Sequence, residues 1–232
     1  MSETSSENSR NTNLNTHIFP YRTLAPGEIR VLTIHPPRTT DRNEPIRCSL
    51  DHCPLLPSSA ARTFPRYEWG DYFALSYCWG ADAQNPSRKI TIDDHAVKVT
   101  ENLEAALQTL RASSMSTAGP WPVRFWVDAV CLNQSDSEEV KAEILRMRDI
   151  YSQAAGVYSH LGLATEDSDV GFRFMHLMAE GLFQSADMVY RELVDRRFSG
   201  KDPEKNAYKA MLRLLNRPYW HRVWVLQELA MS

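Results

Sequence analysis

Arg124-Phe-Trp-Val-Asp-Ala-Val-Cys-Leu132 is almost uninterrupted apolar sequence. A strand of this kind needs cover on both faces, which places it in the middle of a parallel sheet. A second candidate for the centre runs from Asp71 to Trp79 and ends at Gly80. After Leu132, Ser135-Asp-Ser-Glu138 reads as a capping box that opens a helix. Val140, Ile144, Met147, Tyr151 and Ala154 continue that helix as one apolar stripe. Gly156 to Leu161 then reads as a short strand closed by Gly162. Strand, helix, strand in this order calls for a right-handed parallel crossover and an α/β fold.

The flanking segments add to this core. Glu28 to His35 alternates apolar and polar residues, as a half-buried strand does, and Pro36-Pro37 stops it. Ile46 to Leu50 is its expected partner, so the two form an N-terminal β addition. Lys89 to Val99 reads as a hairpin turning at Asp93-Asp94-His95. Thr100 starts a helix with Leu103, Ala106, Leu107 and Leu110 on its apolar face, and Ser113 to Pro122 is a loop. From Ala164 to Lys205 the pattern weakens into a helical insertion, with helices expected over Phe172–Leu182 and Met188–Val194. A further helix, Asn206–Leu215, carries Tyr208, Met211, Leu212 and Leu215 on one side. Pro218 is expected to launch the last helix. Residues 1–16 are polar and expected to be disordered. Residues 17–232 form one domain, expected to be the N-terminal part of a longer polypeptide because the last helix is still apolar at residue 232.

Composition excludes several classes. With 232 residues, 43% of them hydrophobic, the chain can bury one sizeable core. A formal net charge of −3 offers no concentrated basic face for nucleic acid. No apolar run approaches the roughly 20 residues a membrane span needs. The absence of a secretory signal predicts a cytoplasmic, reducing setting in which Cys48, Cys53, Cys78 and Cys131 stay free. Cys48, His52 and Cys53 have poor spacing for zinc, and no second ligand pair follows, so no metal site is expected.

Two distant segments are candidates for chemistry. Ser76-Tyr77-Cys78-Trp79-Gly80 ends a central strand. Trp224 and Glu228 lie four residues apart, hence on one face of a helix. A strand-end loop facing a helical carboxylate is a common small-molecule site in α/β proteins. Asp128 and the Asn133-Gln134 loop belong to the same end of the sheet. Blander readings stand beside these. A helical glutamate is usually a solvated side chain, and Trp224 is as readily core filler. Asp128, Asn133 and Gln134 could be turn structure alone. Ser76 lacks the Gly-x-Ser-x-Gly elbow of a nucleophile, and His221 is expected at the surface.

Five segments together carry a family resemblance: Tyr72-Phe-Ala-Leu-Ser-Tyr-Cys-Trp-Gly80, Thr100-Glu-Asn-Leu-Glu-Ala-Ala-Leu107, Phe125-Trp-Val-Asp-Ala-Val-Cys-Leu-Asn-Gln134, Met147-Arg-Asp-Ile-Tyr-Ser-Gln-Ala154 and Arg222-Val-Trp-Val-Leu-Gln-Glu228. In this order they resemble the HET (heterokaryon incompatibility) domain of filamentous fungi. That domain in turn resembles TIR domains. The resemblance implies a TIR-like, flavodoxin-like α/β fold with a central parallel sheet flanked by helices. It also implies an NAD- or NADP-cleaving activity that releases nicotinamide, with NAD(P) as substrate and no bound cofactor. Glu228 would be the catalytic residue, and Ser76, Tyr77, Cys78, Trp79, Gly80, Asp128, Asn133, Gln134 and Trp224 would line the substrate site. The implied setting is programmed cell death in self/non-self recognition, with self-association through the Asn133–Glu138 loop. The competing expectation is a non-catalytic adaptor that signals by assembling with other domains.

The chemistry is feasible with one acid. Ordinary glycoside hydrolysis uses two carboxylates because the departing alkoxide must be protonated. Nicotinamide leaves a pyridinium as a neutral base, so a single carboxylate that stabilises the oxocarbenium-like ribose is adequate.

Overall fold

The computed structural model describes residues 19–39, 44–55, 72–117, 123–181, 203–225 and 228. The polar tail 1–16 and the expected helix Met188–Val194 lie outside these residues. One mixed sheet organises the fold. Its strands are β1 (Glu28–Ile34), β2 (Arg47–Pro54), β3 (Phe73–Tyr77), β4 (Arg88–Ile92), β5 (His95–Val99), β6 (Arg124–Trp126) and β7 (Val157–His160). Their order across the sheet is β5-β4-β2-β1-β6-β3-β7. The trio β6-β3-β7 is parallel, whereas β1 runs antiparallel to both β2 and β6. The helices are α1 (Glu101–Thr117), α2 (Asp128–Cys131), α3 (Ser137–Ser152), α4 (Ser168–Gly181) and α5 (Pro203–Leu215). A single 3-10 turn, Pro218–His221, follows.

The N-terminal β addition is integral to the sheet. β1, an interior strand, is buried along almost its whole length rather than on alternate positions, so both of its faces are covered. Its polar residues are therefore paired. Arg30 forks onto Glu139, with N–O distances of 2.6 and 3.0 Å, and also donates to the carbonyls of Cys131 and Arg22. Thr33 donates to Asp51 at 3.1 Å. The β4–β5 hairpin turns where expected. Asp93 and Asp94 both take positive φ (45° and 64°), as a two-residue hairpin turn that matches strand twist requires.

The long apolar run departs from expectation. Strand β6 stops at Trp126, and the chain curls into the short helix α2 from Asp128. The N–H of Cys131 returns to the Val127 carbonyl at 2.8 Å, closing the turn inside the core. An apolar run does not tell buried strand from buried helical turn.

Helix α1 lays Leu103, Ala106, Leu107 and Leu110 into the core, as the spacing predicts, and Thr100 caps it by accepting the Leu103 N–H. It continues through residues expected to be loop, as far as Thr117. The cap of α3 is Asp136 rather than Ser135; its carboxylate accepts from the N–H groups of Glu138 and Glu139. The buried face of α3 is Glu143, Met147, Ile150 and Tyr151, while Ile144 is exposed. Glu143 can sit on that face because Arg146 pairs with it.

Helix α4, within the expected helical insertion, packs against α5. The buried side of α5 is Ala207, Ala210 and Leu214; of the expected side, Met211 is half-buried against Phe174, Leu177 and Ala207, while Tyr208, Leu212 and Leu215 are exposed. Close approach explains the swap. A Cβ on Gly171 of α4 would meet Leu214 Cδ1 at 2.6 Å and the Ala210 backbone at 2.9 Å. Small residues line this interface so that the two backbones can touch. Among the described residues no helix is long and apolar enough to cross a membrane.

Candidate functional site at the head of the parallel strands

Strand β3 supplies the floor. Its side chains alternate, so Ala74 and Ser76 face one side of the sheet and Leu75 and Tyr77 the other. Ser76 pairs in register with Ser159 on β7. The Tyr219 hydroxyl, brought in by the 3-10 turn, lies 2.8 Å from Ser76 Oγ and donates to Ser159 Oγ at 2.9 Å.

Ser76 also donates to the Glu228 carboxylate. Glu228 is 1% exposed. Arg222 completes the arrangement, its Nη2 donating to Glu228 Oε1 at 3.1 Å and its Nη1 to Oε2 at 3.3 Å. A buried carboxylate needs such partners, since an isolated charge inside the protein would be prohibitively costly. The terminal segment thus folds back onto the C-terminal end of β3.

The route it takes differs from the expected helix. Pro218 launches only the 3-10 turn, Arg222 leaves it in extended conformation, and helical structure resumes at Val225. Trp224 precedes that helix. Its carbonyl accepts the Glu228 N–H at 2.9 Å, so the one-turn relation survives in the backbone. The environments of the two side chains differ sharply, because Trp224 is 44% exposed. His221 is exposed at the end of the 3-10 turn.

A second cluster forms around Asp128. Asp128 is the first residue of α2 rather than the last of a strand. Its Oδ2 accepts the Trp79 indole N–H at 2.8 Å and its Oδ1 the Ala129 N–H at 2.7 Å. Gln134 Nε2 donates to the Asp128 carbonyl at 2.8 Å. Burial raises the Asp128 carboxyl to about 6, against the lowering effects of the Trp79 hydrogen bond and the Arg222 charge; the Glu228 charge adds to the rise. Arg222 and Glu228 therefore act electrostatically on both clusters.

The remaining predicted residues support this end of the sheet. Tyr77 is buried, and its phenol is held well above its ordinary range, first by burial and then by the Asp128 charge. The Cys78 carbonyl accepts from Asn102 Nδ2 of α1 at 3.1 Å. Gly80 takes φ +93°, and a Cβ there would press at 3.3 Å on both the Asn102 and Asp82 side chains. Glycine is thus needed for conformation as well as space. Asn133 is turn structure: its N–H donates to Glu139 and its Oδ1 accepts the Ser135 N–H.

Three contributors were not singled out in the sequence. Tyr219 and Ser159 carry no motif of their own. Arg222 stands inside the terminal motif, but six residues from Glu228 is no helical spacing. The roles of Tyr219 and Arg222 emerge from the break in the helix, and that of Ser159 from its register with Ser76.

The architecture is that of an α/β protein with a buried polar cluster at the carboxyl ends of parallel strands. The family model described as "Heterokaryon incompatibility protein (HET)" matches residues 72–228, and the chain belongs to that family. The segment matched begins just before β3 and ends on Glu228. The chain is also similar to "Heterokaryon incompatibility protein 6, OR allele" of Neurospora crassa, at 25% identity over 91% of this chain and 34% of the relative. It spans about a third of the length of that protein. No solved structure matches.

Proposed function

We propose that this domain cleaves NAD or NADP at the nicotinamide–ribose bond, with Glu228 as the catalytic carboxylate, within a longer protein that acts in heterokaryon incompatibility and cell death. One observation carries the reading: a buried acid, anchored by Ser76, at the carboxyl end of the central parallel strand, where open α/β sheets bind their ligands. The bond that breaks is the C–N bond to the pyridinium, whose electron pair leaves with nicotinamide. Water then adds to the ribose carbon and releases one proton. Glu228 stabilises the positive charge that develops on the sugar. Trp224, half exposed one turn away, offers a face for stacking on a flat cationic ring. Self-association through the Asn133–Glu138 loop would bring sites together.

The second reading, a non-catalytic assembly domain, draws on a specific observation as well. Both Glu228 oxygens already have protein partners, as a purely structural ion pair would. The two part company in one assay. Nicotinamide release from NAD is followed for the purified chain, free and clustered on a multivalent scaffold, beside Glu228→Gln. The hydrolase reading expects release by the clustered wild type and a loss of about 100-fold or more in the variant. An inert clustered wild type supports the assembly domain.

A further inference from the structure

We propose that Arg222 is the anion receptor of this site, and that it exchanges its resting partner Glu228 for the diphosphate of the incoming dinucleotide. The inference rests on the reading of Glu228 as the working acid and adds the residue that controls access to it. Burial is asymmetric within the pair. The Arg222 side chain is 18% exposed, against 2% for Glu228, so an arriving solute meets the cation first.

The pair is also looser than its counterpart across the sheet. Arg222 holds Glu228 at 3.1 and 3.3 Å, whereas Arg30 holds Glu139 at 2.6 and 3.0 Å. Arg30 spends further N–H groups on the Cys131 and Arg22 carbonyls. Among the described residues, the side-chain hydrogen bonds of Arg222 go to Glu228 alone. A guanidinium has five N–H donors in a planar fork suited to phosphate, and among the described residues Arg222 commits two of its N–H groups, both to Glu228. Finally, Arg222 sits between two structured pieces, after the 3-10 turn and before Val225. Its backbone N–H makes a long 3.4 Å bond to Tyr219, so rotation of this residue disturbs little regular structure.

In the resting state the Arg222 charge neutralises Glu228 and keeps it from a developing cation. A diphosphate carries more negative charge than one carboxylate and accepts both ends of the fork. Drawing Arg222 outward leaves Glu228 held by Ser76, and the positive charge that develops on the ribose takes the place of the guanidinium. The same ligand atoms that bind thus unmask the acid.

Binding of ADP-ribose and of inorganic pyrophosphate tests this by calorimetry at low and moderate salt, with the whole chain as wild type, Glu228→Gln and Arg222→Gln. Glu228→Gln keeps the shape of the side chain and removes the competing charge. It is expected to bind both probes at least about fivefold more tightly than wild type, the scale of coupling between two linked contacts. Arg222→Gln is expected to lose about tenfold or more. Equal affinity in wild type and Glu228→Gln overturns the exchange. Undiminished binding by a folded Arg222→Gln, checked by circular dichroism, overturns the receptor, as does failure of the wild type and Glu228→Gln to bind either probe. Tighter binding by Glu228→Gln without any nicotinamide release by wild type would uphold Arg222 while removing the hydrolase reading.

Discussion

The Ser76 hydroxyl donates to the Glu228 carboxylate across 152 positions of sequence, tying β3, the middle strand of the parallel trio, to the last described residue of the chain. Everything proposed for the site depends on this bond. It seats a terminal segment on the carboxyl ends of the parallel strands.

Truncating Glu228 should therefore be costly in a way that neutralising it is not. Glu228→Ala leaves Arg222 without its partner and opens a void, and is expected to destabilise the domain by about 3 kcal/mol or more. Glu228→Gln still accepts from Ser76 and fills the space, with an expected loss of about 1–2 kcal/mol. Urea unfolding measures both. Equal, small losses would mean that the terminal segment is not docked on β3 in solution.

Asp128 should make stability fall as the solution becomes less acidic. Its folded value of about 6 lies above the roughly 3.9 of an unfolded aspartate. Between those values the folded state keeps a proton that the unfolded state has lost. Its contribution is then complete below about pH 4 and disappears as pH rises through about 6. Asp128→Asn cannot titrate. Relative to wild type, the variant should gain about 2–3 kcal/mol between pH 4 and pH 7. A wild-type-to-variant difference that stays constant with pH would rule out this assignment.

Gly171→Ala should cost about 1–3 kcal/mol through overpacking between α4 and α5. Shortening Leu214 at the same time relieves only part of the clash, because the Ala210 carbonyl is backbone and cannot rotate away. Thermal unfolding of the single and double variants decides it. A Gly171→Ala protein as stable as wild type would show that the two helices sit farther apart.

Arg30→Met is expected to cost about 3–5 kcal/mol, because it strips the charge partner from Glu139 at the root of the Asn133–Gln134 loop. The double variant Arg30→Met with Glu139→Gln should recover much of that loss. Denaturant titration of both checks it, and failure of the second change to rescue would mean that the fork is not where the energy lies.

Local pattern carried much of the fold. The β4–β5 hairpin, the start and apolar face of α1, the pairing of β1 with β2 and the short strand β7 all follow from alternation, helical spacing and turn residues. Pattern failed where apolarity alone had to choose between states. Arg124–Leu132 is apolar whether it forms strand or helical turn, and only the closure around Val127 and Cys131 separates β6 from α2. It failed in most part on α5, where counting large residues selected Tyr208, Met211, Leu212 and Leu215, of which Met211 alone packs against the core. The interface instead sets Ala210 against Gly171 and buries Ala207 with Phe174 and Leu177, since close backbone approach favours small side chains.

For the site, the sequence by itself determined the chemical inventory: a strand ending in Ser76 and Gly80, an acid at Asp128, and an aromatic and an acid one turn apart near the end of the chain. Tertiary structure decided which of these meet. It broke the terminal helix after His221, turned Arg222 onto Glu228, buried that acid against Ser76 and left Trp224 half exposed. The reason is that charge pairing and burial depend on distances between segments far apart in the chain. Periodicity reports only what neighbours along one element share.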